Sequence, residues 1–147
     1  MILSAREIRR RLGRDSRQGA LVIDPFSEEC LQPASYDLRV GGDFVLPPRV
    51  CTLVNTLERV EIPGDLAATL RCRSTFGRMG VVLTAGFVDP GFRGQLTLCL
   101  VNMGSEHLTI RKGERVVQAI FYQVTGGDTL YGGRYQDSTG VVGGKVA

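Results

Sequence analysis

Gly86-Phe87-Val88-Asp89-Pro90-Gly91-Phe92-Arg93-Gly94-Gln95-Leu96-Thr97-Leu98-Cys99-Leu100-Val101-Asn102 is the run that decides the fold. Its first half breaks the chain, because Asp-Pro-Gly is a strong turn signal. Its second half alternates. Leu96, Leu98 and Leu100 point one way and Thr97, Cys99 and Val101 the other, the period-two signature of a half-buried strand. The expectation is a hairpin with Asp89 at its tip.

The same pattern extends outward. Leu66, Ala68, Leu70 and Cys72 alternate with Ala67, Thr69, Arg71 and Arg73. Residues 21–23, 36–40 and 44–46 read as short strands separated by Asp24-Pro25, Gly41-Gly42 and Pro47-Pro48. Val50–Ile62 reads as one or two more strands, and Arg115–Val124 as the last long one. The one convincing helix is N-terminal. Ser4 and Glu7 form a capping box, Leu3 and Ile8 a hydrophobic staple, and Gly13 a stop. The class is all-β, a barrel or sandwich.

The chain has 147 residues, 43% hydrophobic and 22% charged, the balance of one globular domain. No apolar run reaches the roughly 20 residues of a membrane span, and the start lacks a signal-peptide core, so a cytoplasmic protein is expected. The net charge of +3 is mild, and the arginines of the first helix read as a solvated face rather than a nucleic-acid arm. Cys30, Cys51, Cys72 and Cys99 contain no Cys-x-x-Cys pair, and His107 is the single histidine. A structural zinc site and a zinc-dependent deaminase site are both excluded on ligand spacing. From Asp128 onward the chain is rich in glycine and poor in apolar residues. The division expected is a β domain over 1–127 and a mobile arm over 128–147.

Three polar segments stand out in these apolar surroundings: Gln32–Arg39, Arg71–Gly80 and Thr84–Gly94. In the second, Arg73 and Arg78 bracket Ser74, Thr75, Phe76 and Gly77. Guanidiniums bind phosphate bidentately, and hydroxyls and amides fill the remaining oxygens. The plain alternative is a solvent-facing turn. Asp89 offers a carboxylate that can reach a ligand, or serves as an ordinary turn aspartate.

Taken in order, Gln32-Pro33-Ala34-Ser35-Tyr36-Asp37-Leu38-Arg39, Arg73–Arg78, Gly86–Gly94, Gly113–Ile120 and Arg134–Gly140 resemble the motifs of the trimeric dUTP diphosphatase and dCTP deaminase superfamily. The resemblance implies a distorted β-barrel of the β-clip type, a homotrimer with sites between subunits, and Mg²⁺ carried by the triphosphate. It further implies that Asp37 orients metal-bound water, and that Arg73, Ser74, Arg78 and Gln118 contact the phosphates. Asp89 would meet the sugar or activate water. Phe92 would lie under the deoxyribose, and Thr97, Leu98 and Cys99 would read the base. Tyr131, Arg134, Tyr135 and Ser138 would fold over the nucleotide.

At Cys99 the deaminases of this superfamily carry the glutamate that shuttles protons at the amino-bearing carbon. A thiol with an ordinary pKa of about 8.5 does not replace a carboxylate in that role. The leading expectation is therefore a dUTP diphosphatase releasing dUMP and pyrophosphate. A dCTP deaminase with a substituted acid/base is second. A nucleotide-binding regulator without catalysis is third.

Overall fold

The structure, a computed structural model, describes residues 1–146. Helix α1 spans Ala5–Arg11, and the Glu7 amide donates to the Ser4 hydroxyl at its start. The capping box is half formed. The Glu7 carboxylate takes Arg10 instead of reaching back to the cap. The helix ends with Leu12 as its cap, before Gly13. Ile8 is its buried residue.

Eleven strands follow in antiparallel pairs. They are β1 (Val22–Asp24), β2 (Leu31–Gln32), β3 (Ser35–Arg39), β4 (Phe44–Leu46), β5 (Cys51–Glu61), β6 (Leu66–Cys72), β7 (Val81–Leu83), β8 (Phe87–Val88), β9 (Arg93–Asn102), β10 (Leu108–Ile110) and β11 (Arg115–Gln123). Val50–Ile62 thus holds a single strand, with a register shift between Asn55 and Arg59. The second polar segment contains a short helix, α2 (Ser74–Arg78), that no apolar periodicity announced. Buried Phe76 anchors it.

The strands form three sheets, in the orders β1-β5-β9-β7, β10-β4 and β2-β3-β11-β6-β8. The expected barrel does not close among the described residues; the two large sheets remain open. Their inner faces meet in one core that includes Tyr36, Leu38, Val54, Leu98, Leu100, Val117 and Phe121. Each such side chain contributes roughly 1.5–3 kcal/mol by leaving water.

The turn at Asp89 is not a hairpin tip. β8 pairs with β6, whereas β9 pairs with β5 and β7. The turn Asp89–Phe92 therefore carries the chain from one large sheet to the other. It is closed by the Phe92 amide donating to Asp89 O, and Ile62 holds it on both sides: the Gly91 amide donates to Ile62 O and the Ile62 amide to Phe92 O.

Within the arm, residues 136–142 hydrogen-bond to β9. The Asp137 amide donates to Arg93 O and the Gln95 amide to Ser138 O. Two glycines make the approach possible. A Cβ on Gly91 (φ +85°) would lie 2.8 Å from Leu130 Cβ, and one on Gly94 (φ +144°) would lie 2.8 Å from the Ser138 amide nitrogen. Both backbone conformations also disfavour any side chain. The last arm residue, Ala147, lies outside the described residues.

Candidate functional site

Two polar assemblies arise from this framework. The first is a cavity of about 360 Å³ beside β9. Phe92 and Leu96 give it apolar surface, and Thr97 and Cys99 reach it from the outward side of β9. Leu53, the cross-strand partner of Cys99 on β5, adds to the wall. Asp89 stands at the edge, exposed, and is the one carboxylate among the lining residues. Burial pushes the Cys99 thiol up, and neighbouring Cys51 pushes it further, so the thiol stays protonated at neutral pH.

The arm roofs this cavity. Tyr131 meets Phe92 edge-on, with ring centroids 5.7 Å apart, and its amide donates to Pro90 O. Tyr135, Ser138 and Val142 complete the roof. Two β9 side chains bind the arm directly. The Gly140 amide donates to Gln95 Oε1 at 2.6 Å, and the Val142 amide to Thr97 Oγ1 at 3.0 Å. Gln95 is itself fixed, because its Nε2 donates to Thr56 O.

The second assembly lies on the other large sheet. Asp37 on β3, Gln118 on β11 and Arg71 on β6 stand opposite one another across three strands. Asp37 is buried, 3.0 Å from Arg73 Nε and 3.8 Å from Arg115 Nη1, yet neither carboxylate oxygen accepts a well-aligned hydrogen bond. Burial pushes its carboxyl above the usual carboxylate range, and the two guanidiniums pull part of the way back. Arg73 Nη1 donates to Arg115 O, and Gln118 Nε2 to Ser35 Oγ. The cluster thus sets one buried carboxylate against two guanidiniums.

The structure thus divides the residues expected from the motifs. Asp89, Phe92, Thr97, Cys99, Tyr131, Tyr135 and Ser138 gather in the first assembly. Asp37, Arg73 and Gln118 gather in the second, and Ser74, Thr75, Gly77 and Arg78 stay exposed on α2. None of the second group lines the cavity. The side chains of Leu98 and Phe76 lie in the core. Arg134 turns away from the cavity to Lys145 O. Missed in the sequence were Arg115, which sits inside the Gly113–Ile120 motif, Gln95, which only its place along β9 reveals, and Val142, which only the docking of the arm on β9 reveals.

Two facing open sheets, a strand-to-strand turn bearing a carboxylate and arm residues over the cavity describe the fold, and the family profile and named relatives place the chain in the dUTPase and dCTP deaminase superfamily. The backbone matches the native dUTPase of EIAV with a TM-score of 0.62 at 18% identity, covering 79% of this chain and 98% of that one. It matches a 2'-deoxycytidine 5'-triphosphate deaminase from Agrobacterium tumefaciens with a TM-score of 0.67 at 20% identity, covering 82% of this chain and 46% of that one. A mutant dUTPase from phage phi11 of S. aureus, described with a structural Mg(II) ion, matches with a TM-score of 0.61 at 18% identity, covering 76% of this chain and 95% of that one. These likenesses establish the fold.

Within the superfamily the sequence is more specific. Residues 40–124 match the dCTP deaminase-like family profile, and the chain belongs to that family. A relative from Pyrococcus furiosus named dCTP deaminase is 43% identical over 135 residues, 81% of this chain and 86% of its own length. The relatives thus favour the deaminase branch over the diphosphatase that Cys99 suggested.

Proposed function

We propose that the chain takes a pyrimidine deoxynucleoside triphosphate into the cavity beside β9, and that its reaction is deamination of dCTP. The family and its named relatives carry this reading. In that reaction water adds at the amino-bearing ring carbon, ammonia leaves, and the uracil nucleotide remains. Asp89 is the carboxylate available at the cavity to take and return the proton. Phe92 supports the sugar, and Thr97 and Cys99 bound the base. Arg73, Arg78, Ser74 and Gln118 serve the triphosphate, whose charge is the natural partner of guanidiniums. Asp37, with two oxygens free of hydrogen bonds, would face a Mg²⁺ brought by the nucleotide, which would supply neutralising charge to the phosphates. As the family resemblance implies, a complete site combines the cavity of one copy with the Asp37–Arg73 cluster of another in a homotrimer, in keeping with that cluster lining no part of the cavity on its own chain. The arm from Asp128 onward closes over the nucleotide.

One observation favours a second reading. Apart from Asp89 the cavity has no carboxylate, and Cys99 presents a protonated thiol. Hydrolysis of dUTP needs no acid at that position, since the attacked atom is phosphorus. Product analysis with dCTP and dUTP in parallel, both with Mg²⁺, separates the readings. Ammonia from dCTP supports deamination, and pyrophosphate from dUTP alone supports the diphosphatase. Binding of both without turnover rejects both and leaves a regulator.

A further inference from the structure

A second concavity, of about 300 Å³, is bordered by the arm at Asp137 and shares no residue with the nucleotide cavity. Four arginines reach it from separate parts of the chain: Arg14 and Arg17 from the loop after α1, Arg59 from β5 and Arg93 from β9. Three carboxylates accompany them. Asp15 pairs with Arg17 and Glu61 with Arg59, both in or near the same framework. The third, Asp137, comes from the arm. It lies 3.3 Å from Arg59 Nη2 and 3.1 Å from Arg93 Nη2. Asp137 is half-exposed, and its φ of +58° lies in the left-handed region, which aspartate adopts more readily than most residues. Arg14 has no ion pair among the described residues, and Arg59 Nη1, 3.2 Å from Glu61 Oε1, makes no aligned hydrogen bond to it.

Asp137 is therefore an anion delivered by the arm to a basin with more guanidinium than carboxylate. Its two neighbours, Gln136 and Ser138, both hold the arm to β9: Gln136 Oε1 accepts from the Arg93 amide, and Ser138 O accepts from the Gln95 amide. Whatever displaces Asp137 acts on the roof of the nucleotide cavity.

We propose that the Arg14–Arg17–Arg59–Arg93 basin is a second anion site, of the phosphate class, with Asp137 as its resident internal ligand. A phosphate-class anion that takes the place of Asp137 releases the arm from β9. A tetrahedral dianion matches forked guanidiniums better than one carboxylate does. Asp137 competes through its tether, as any intramolecular group does.

The test is amide hydrogen exchange of residues 138–142 in the free full-length protein, titrated with inorganic phosphate at constant ionic strength. Chloride alone is the parallel arm. Two exposed ion pairs are at stake, so phosphate is expected to speed exchange roughly fivefold. Asp137→Asn is expected to exchange fast from the start and to ignore phosphate. Arg14→Gln, which breaks no observed contact, is expected to weaken the phosphate response while leaving the basal rate unchanged. An equal response to chloride and phosphate, or none to either, overturns the proposal. No nucleotide enters the experiment, so its result is independent of which reaction the chain performs.

Discussion

The Val142 amide donates to Thr97 Oγ1 at 3.0 Å. One hydroxyl is thus both a wall of the nucleotide cavity and the anchor of the arm that roofs it. The bond is a single neutral one, worth about 1 kcal/mol net. Thr97→Val keeps the shape and removes the acceptor. Amide exchange at residues 140–142 is expected to quicken roughly fivefold, with the melting temperature unchanged. Unaltered exchange in the variant would show that Thr97 does not hold the arm.

Asp37 poses the opposite balance, since its position opposes stability. Burial has raised its carboxyl pKa despite Arg73 and Arg115. The folded state therefore holds that proton more tightly than the unfolded chain. The stability this contributes is fully present below the unfolded value and is lost as pH rises through the folded one. Asp37→Asn removes the effect. The melting temperature of the variant minus that of the wild type is expected to grow more positive between about pH 4 and pH 7. Turnover is expected to fall about 100-fold, as for loss of a positioned polar group. A variant that is less stable at neutral pH than in acid, relative to the wild type, would contradict the assignment.

Glu58 is fully buried, with Arg39 Nε at 2.6 Å from Oε1 and the Arg39 amide at 3.0 Å from Oε2. Arg39 also donates to Pro25 O, so the pair ties β3 and β5 to the loop after β1. Glu58→Ala leaves a mostly buried guanidinium unpaired, and a loss of about 3–5 kcal/mol is expected in denaturant unfolding. The double variant Arg39→Met, Glu58→Leu is expected to recover most of it. A single variant that costs under about 1 kcal/mol would show that the pair is solvated in solution.

The legibility of these features in the sequence follows their range along the chain. The α1 cap, the faces of β6 and β9 and the turn at Asp89 depend on neighbours within a few residues, and local periodicity reports them. Even Glu58 left a trace, since it falls in phase with Val54, Thr56 and Val60 on the buried face of β5. That the turn at Asp89 passes between sheets was not legible, because β8 finds its partner on β6 and not on β9. Nor was the docking of the arm, where Asp137 meets Arg59 across 78 residues. Composition describes only what residues 128–147 lack. The arm is placed by hydrogen bonds from residues 136–142 to β9, with Gly91 and Gly94 leaving room for it. The motifs identified the family without showing that one chain holds its two polar assemblies apart.

Cys99 is the position where family and chemistry pull apart, and so the most informative one to change. Its side chain borders the cavity opposite Leu53, with burial holding the thiol protonated. A carboxylate placed there would feel the same desolvation, which raises an acid toward neutrality. An acid with a pKa near the working pH is the best proton shuttle, worth roughly 100-fold or more in rate. Cys99→Glu is therefore expected to raise ammonia release from dCTP by about that factor, measured beside pyrophosphate release from dUTP. A gain of that size would mean that Asp89 alone moves the proton slowly in the wild-type chain and that a second acid at position 99 speeds the same deamination. Unchanged ammonia release, with nucleotide binding intact, would mean that the proton is already handled elsewhere in the cavity. Asp89 is then the group to remove next, and Asp89→Asn should abolish the release that Cys99→Glu left untouched.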